Sequence, residues 1–218
     1  MSLQMLVSKV FSTFLIFRII QKLNEYMDPI NIIIGLNIIA TFGANYTGAK
    51  KGVKTKIGSF KEKPKTYLQW LPLAISTLTL LLLIVSVFQV GTLEYAEEYQ
   101  IIRYIGLVFY LVFSWIQIWA FKTLGENYAQ EIIVFKDHQL ITKGPFKLVR
   151  HPQYLSQILL DLGAAAATLS FILLPFAIIQ IPFLFIRASL EDKLMEKHLG
   201  ESWNSYKQKT GSFLPFVG

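Results

Sequence analysis

Four stretches of this chain run without a formal charge, and their lengths restrict the fold more than any other feature. Residues 29–49 are uncharged for 21 positions, 66–93 for 28, 104–121 for 18 and 162–186 for 25. A helix needs about 20 apolar residues to cross a bilayer, so the first three stretches each suit one span. The fourth is read together with residues 152–161, because Pro175 interrupts it. Two short helices, over roughly 153–170 and 172–187, fit better than one long helix. Charged residues make up only 16% of the chain, against about 25% in soluble domains. The expectation is an all-α integral membrane protein with about five transmembrane helices, ending in a helical hairpin.

Residues 6–23 are apolar but interrupted by Lys9, Arg18 and Lys22. An interfacial helix whose basic side chains reach toward the headgroups is favoured there over a full span. They have no small-residue cleavage site of the kind that ends a secretory signal.

The net charge of +7 is carried by loops. Residues 50–65 hold seven lysines (50, 51, 54, 56, 61, 63 and 65) against Glu62 alone. No aromatic stacking platform accompanies them, so the run reads as a cytoplasmic loop under the positive-inside rule, not as a nucleic-acid surface. The connection at 91–100, with Glu94, Glu97 and Glu98, then falls on the opposite side. Residues 122–152, with Lys122, Lys136, Lys143, Lys147 and Arg150, return to the cytoplasm. The absence of cysteine excludes disulfides, a thiolate nucleophile and cysteine-held metal. His138, His151 and His198 are too scattered for a metal site.

Composition shifts near Lys122. Up to residue 121 the chain reads as membrane scaffold. Residues 122–218 alternate polar and apolar segments closely and read as the working half of one integrated domain, with a pocket on the cytoplasmic side. Its densest polar cluster lies at 144–154, directly before the hairpin. Arg150 and His151 are costly beside hydrocarbon unless held. Pro152 suits the first turn of a helix, which sets both residues at a helix N-terminus that favours an anion. Basic residues and a tyrosine flanking a span also serve as interfacial anchors, and composition alone leaves the two readings even.

Arg187 and Glu191 share one helix face beyond the hairpin, beside Asp192. They are either a surface ion pair or a charged cluster facing Arg150 and His151. The aromatic spacing of the tail, Leu194, Leu199, Trp203 and Tyr206, predicts an amphipathic helix on the membrane ending near Thr210. Asp161 faces a cavity or another helix, and residues 163–167 (Gly-Ala-Ala-Ala-Ala) suit close helix packing.

At these residues the chain resembles the isoprenylcysteine carboxyl methyltransferase family and its membrane phospholipid methyltransferase relatives. The resemblance runs from residue 123 to the C-terminus. It consists of Thr-Leu-Gly-Glu-Asn-Tyr at 123–128, His-Gln-Leu-Ile-Thr-Lys-Gly-Pro-Phe at 138–146 and Arg-His-Pro-Gln-Tyr at 150–154. Arg187-x3-Glu191-Asp192 and Leu199-Gly-x2-Trp-x2-Tyr206 follow in family order. It implies methyl transfer from S-adenosylmethionine at the cytoplasmic membrane face. It further implies a cofactor site of His138, Gln139, Leu140, Ile141, Phe146, His151, Pro152, Gln153, Tyr154, Glu191 and Asp192, with Arg187 and Glu191 catalytic and Arg187 facing the acceptor. The implied acceptor is lipidic, a prenylated cysteine carboxylate foremost, with phospholipid amines and small thiols open. Relatives often carry Gly where this chain has Ser156 and Glu where it has Asp192.

Two other readings compete. Membrane sterol reductases that use NADPH have a distantly similar hairpin, but tend to lack a proline after the histidine, where this chain has Pro152. The other is non-enzymatic, a transporter or membrane adaptor; a transporter should show internal repeats or interrupted helices in matching halves, and neither is visible.

Overall fold

The computed structural model describes residues 28–52, 60–215 and 217. The helix expected over residues 6–23 and much of the lysine-rich connection lie outside them.

Helix α1 (Pro29–Gly52) starts where Asp28 and Pro29 dictate: the Asp28 carboxylate accepts from the N–H groups of Ile30 and Asn31 at 3.0 and 3.2 Å, and proline occupies the first helical position. A short strand β1 (Phe60–Glu62) and a 3₁₀ turn (Tyr67–Gln69) lead into α2 (Leu71–Val87), then α3 (Gln100–Leu124). Strand β2 (Val134–Phe135) pairs antiparallel with β1. A further 3₁₀ turn (Gly144–Lys147) precedes α4 (Pro152–Thr168), α5 (Leu174–Leu199) and α6 (Glu201–Lys209). Among the described residues the regular structure is therefore helical apart from a two-stranded clasp that hydropathy gave no reason to expect.

The closest packing is between α3 and α4. A Cβ built on Gly163 would lie 2.7 Å from the Tyr110 nitrogen, and one on Gly106 2.7 Å from the Gly163 carbonyl. The small-residue run at 163–167 is thus what allows the two backbones to touch, with Gly106 as its counterpart. Around this contact Ile34, Leu83, Leu107, Tyr110, Leu160 and Leu173 form the main core. Away from it, Ile101, Val108 and Val112 are exposed, as on a lipid-facing surface. At the 91–99 end, Arg103 makes a two-pronged pair with Asp28, donates to the Ala167 carbonyl at 3.0 Å and lies 3.6 Å from the centre of the Tyr95 ring. A charge at that depth is tolerated because every arm is matched.

Among the described residues, three helical stretches are long and apolar enough to cross a membrane: Tyr67–Val87, Glu97–Asn127 and Leu174–Leu199; Pro29–Ala44 is apolar but shorter. The expected hairpin is present, with two differences. Its second arm does not stop near 187 but continues to Leu199, because residues 188–199 are strong helix formers with nothing to end the helix before Gly200, whose φ is +54°. Pro175 sits in its first turn and Pro182 lies within it. The tail helix, expected to include Leu194, instead begins after Gly200, and its aromatic face is buried against protein: Trp203 and Tyr206 are 6% and 7% exposed.

Candidate active site

The polar cluster before α4 is fixed from both sides. Gly144, at φ +60°, makes the turn that a side chain would strain, and Pro145 follows it. Beyond it, the Arg150 and His151 amides donate to the Gly211 and Ser212 carbonyls at 2.8 and 3.1 Å, so the tail runs alongside this segment like a strand. Pro152 is the first residue of α4, which leaves His151 at the helix cap.

This register sets α4's first turn against the C-terminal extension of α5. Asp192 accepts from His151 Nε2 at 2.7 Å and from Arg150 Nε at 3.3 Å. Glu191 accepts from the Tyr154 hydroxyl in a very short contact and from Arg187 Nε at 3.2 Å, while His151 Nδ1 lies 3.8 Å away. Arg187 Nε also donates to the Tyr154 oxygen at 2.7 Å. The His151 and Tyr154 rings stack, with centroids 5.7 Å apart. Of the two readings the sequence left open, a surface ion pair or a charged cluster facing Arg150 and His151, the second is the one observed.

Above this cluster opens a cleft with about 770 Å³ of empty space, part of it open solvent. Of the residues singled out in the sequence, His138, Gln139, Leu140, Ile141, Phe146, His151, Gln153, Tyr154 and Glu191 line it. Three do not. Pro152 is buried in the helix start, Asp192 lies behind His151, and Arg187 is 5% exposed beneath Tyr154, with its terminal nitrogens donating to the Leu68 carbonyl at 3.2 Å and to the Gln130 carbonyl.

Sequence reasoning missed several contributors. Asn127 accepts from the Gln139 amide at 3.1 Å and so aims the 138–141 wall. Gln69, the last residue of the 3₁₀ turn before α2, grips another part of the lining: its side chain accepts from the Ile132 N–H at 2.8 Å and donates to the Ile132 carbonyl at 3.0 Å. Trp203 and Tyr206 line the cleft from α6. Their spacing was visible, but a membrane-facing helix would show the same spacing. Tyr206 donates to the Phe146 carbonyl at 2.6 Å, and burial pushes its phenol up to about 12.

Two buried polar atoms on the cleft lining have no hydrogen-bond partner among the described residues: the Gln153 side-chain oxygen and the Trp203 indole nitrogen. Native interiors rarely leave such atoms unmatched. One acceptor and one donor thus await a polar ligand, which fits a nucleoside or amino-acid group better than a purely apolar one.

Residues 105–197, which contain α4, all of α5 but its last two residues, and every residue of the Arg150–Asp192 cluster, match a known sequence family. It is the isoprenylcysteine carboxyl methyltransferase (ICMT) family. The resemblance read from the motifs therefore holds. Among relatives, a probable protein-S-isoprenylcysteine O-methyltransferase of Oryza sativa subsp. indica is 29% identical over 124 residues, 56% of this chain and 65% of the relative. The Schizosaccharomyces pombe protein-S-isoprenylcysteine O-methyltransferase is 30% identical over 83 residues, 38% of this chain and 35% of its own. A methanethiol S-methyltransferase from a Pseudomonas species is 36% identical over 70 residues, 32% of this chain and 26% of its own. The chain thus spans less than two thirds of each of these relatives. A solved structure of the eukaryotic intramembrane Ras methyltransferase ICMT superposes with a TM-score of 0.50 at 18% identity, over 66% of this chain and 52% of that one. At that identity it speaks for a shared ICMT-like fold.

Proposed function

We propose that this chain is a membrane methyltransferase that takes its methyl group from S-adenosylmethionine and delivers it to the carboxylate of a lipidic acceptor, a prenylated cysteine foremost. The observation that carries the reading is the convergence of Tyr154, Glu191 and Arg187 at the foot of a cleft walled by residues 138–141, inside the segment that matches the ICMT family. S-adenosylmethionine, when bound, would supply a sulfonium methyl to an in-line oxygen or sulfur nucleophile, with neutral S-adenosylhomocysteine as the leaving group.

The residues present fit such a group. Glu191 keeps a carboxylate at the cleft and suits the ligand's cationic end, while Tyr154 and Arg187 fix its rotamer. Gln153 presents an unmatched acceptor. Asp192 acts from behind the cleft, holding His151 in one ring orientation and neutralising Arg150. His138, Gln139, Leu140, Ile141 and Phe146 enclose the ligand and exclude water, which strengthens every charge interaction inside. A carboxylate acceptor needs no base, so positioning carries most of the rate. Each terminal nitrogen of Arg187 bears two N–H groups, of which backbone carbonyls take one among the described residues. The others suit a carboxylate, whose geometry the guanidinium fork matches.

The same reading has about five spans, the lysine-rich connection and the cleft on the cytoplasmic side, residues 1–121 as scaffold and 122–218 as the catalytic half, and the acceptor arriving from the bilayer. The stretch that is 36% identical to a methanethiol S-methyltransferase supports a second acceptor class, small thiols.

Incubating purified protein in lipid nanodiscs with methyl-labelled S-adenosylmethionine and either a farnesylated cysteine or methanethiol separates the cases. A base-labile methyl ester supports the carboxylate reading, and a volatile labelled sulfide the thiol reading. No binding of S-adenosylmethionine or its demethylated product, with NADPH bound instead, overturns both.

A further inference from the structure

The charged and hydrogen-bonding groups described so far at the cleft are concentrated on α4, α5 and the 138–146 wall, and α6 had reason only to be a cover. Yet Trp203, on α6, is more than nine-tenths buried, borders the cleft and leaves its indole nitrogen without a partner among the described residues. We propose that this N–H is a donor to the bound ligand, so that α6 is part of the methyl-donor site. The inference rests on the reading of the cleft as that site.

An indole nitrogen only donates and cannot be satisfied by rotating a hydroxyl or flipping an amide. On this proposal its partner is an acceptor brought by the ligand: a ribose oxygen, an adenine ring nitrogen or a carboxylate. Gln153 offers the opposite polarity in the same cleft. The sulfonium and its methyl present neither a hydrogen-bond donor nor an acceptor of this kind, so Trp203 recognises the part of the ligand that survives transfer.

The indole is held for this role. Its ring packs edge-on to Tyr206 with centroids 5.5 Å apart. Tyr206 in turn is bonded to the Phe146 carbonyl. The end of α6 is tied down by Arg150, which donates from its NH1 group to the Lys207 carbonyl at 3.2 Å and to the Thr210 carbonyl. The residue that grips Asp192 therefore also sets α6 against the cleft.

The test is calorimetric titration of S-adenosylmethionine and S-adenosylhomocysteine into the full-length protein in nanodiscs. Three forms are compared: wild type, Trp203→Phe, and a protein with benzothienylalanine at position 203, which keeps the indole shape but lacks the N–H. Loss of one buried donor should weaken both ligands by the same factor, about tenfold. The ligand-free melting temperature of the benzothienylalanine form should equal that of wild type, because no protein bond is lost. Unchanged dissociation constants in that form, or a lowered ligand-free melting temperature, would overturn the proposal. A wild type that binds neither ligand would instead sink the reading of the cleft itself.

Discussion

Tyr154 and Glu191 lie 37 positions apart in the chain, on opposite arms of the hairpin, and the tyrosine hydroxyl donates directly to the carboxylate. The oxygen that donates to Glu191 also accepts from Arg187 Nε at 2.7 Å. One hydroxyl therefore relays between cation and anion and fixes both side chains.

Removing that hydroxyl should loosen both. For Tyr154→Phe we expect the affinity for S-adenosylhomocysteine to fall by about tenfold, the scale of a lost hydrogen bond to a charged group. Glu191→Ala should weaken it further. Calorimetry on both variants checks this ordering; a phenylalanine variant that binds as tightly as wild type would mean that Glu191 is oriented by Arg187 alone.

The α3–α4 contact is backbone against backbone, so it should tolerate no added volume. Gly163→Val should destabilise the protein by about 3 kcal/mol or more, since even a Cβ would lie 2.7 to 2.9 Å from its neighbours on α3. Thermal unfolding in detergent, followed by circular dichroism, reads this directly. An unchanged midpoint would show that the two helices can part without cost.

Gln69 grips Ile132 through both its carbonyl and its amide. Gln69→Ala leaves a buried Ile132 N–H unmatched and frees one wall of the cleft. We expect ligand affinity to drop about tenfold, with global stability lowered by about 1–3 kcal/mol. Gln69→Glu, which keeps the acceptor, should recover part of the affinity. Equal defects in both variants would argue that the whole amide is needed.

Tyr206 supplies a pH dependence. Burial raises its folded-state value to about 12, above the roughly 10 of an unfolded tyrosine. Below pH 10 both states keep the proton and its contribution to stability is complete. Between 10 and 12 only the unfolded state loses it, so stability falls as pH rises. Chemical denaturation of wild type and Tyr206→Phe at pH 8, 10 and 11 should show a steeper alkaline loss in wild type. Parallel curves would place the phenol in water.

The spans were legible because crossing a bilayer requires long uncharged runs, and residues 66–93 and 104–121 offer nothing else. Where charge returned, the boundary was harder to see: residues 188–199 mix Leu, Met, Glu and Lys in a pattern that suits a helix in water or at an interface, so the second hairpin arm looked shorter than it is. The meeting of Arg150 and His151 with Arg187, Glu191 and Asp192 was visible because a hairpin returns its second arm beside its first. Gln69 could not have been found that way. Its role depends on β1 pairing with β2 and on a 3₁₀ turn delivering one amide to one backbone, and neither leaves a periodic trace. Trp203 carried a signal, but one that a lipid-facing and a protein-facing helix share.

The Gln69 grip and the Leu68 carbonyl that receives Arg187 bear on how such a chain is made. The ribosome delivers residues 60–69 before Ile132 and Arg187 exist, so the early segment gains these partners only after the second hairpin arm has been made. A C-terminal fragment translated alone would lack both partners. Supplying residues 1–121 on a separate chain should therefore restore ligand binding to a fragment that begins at 122.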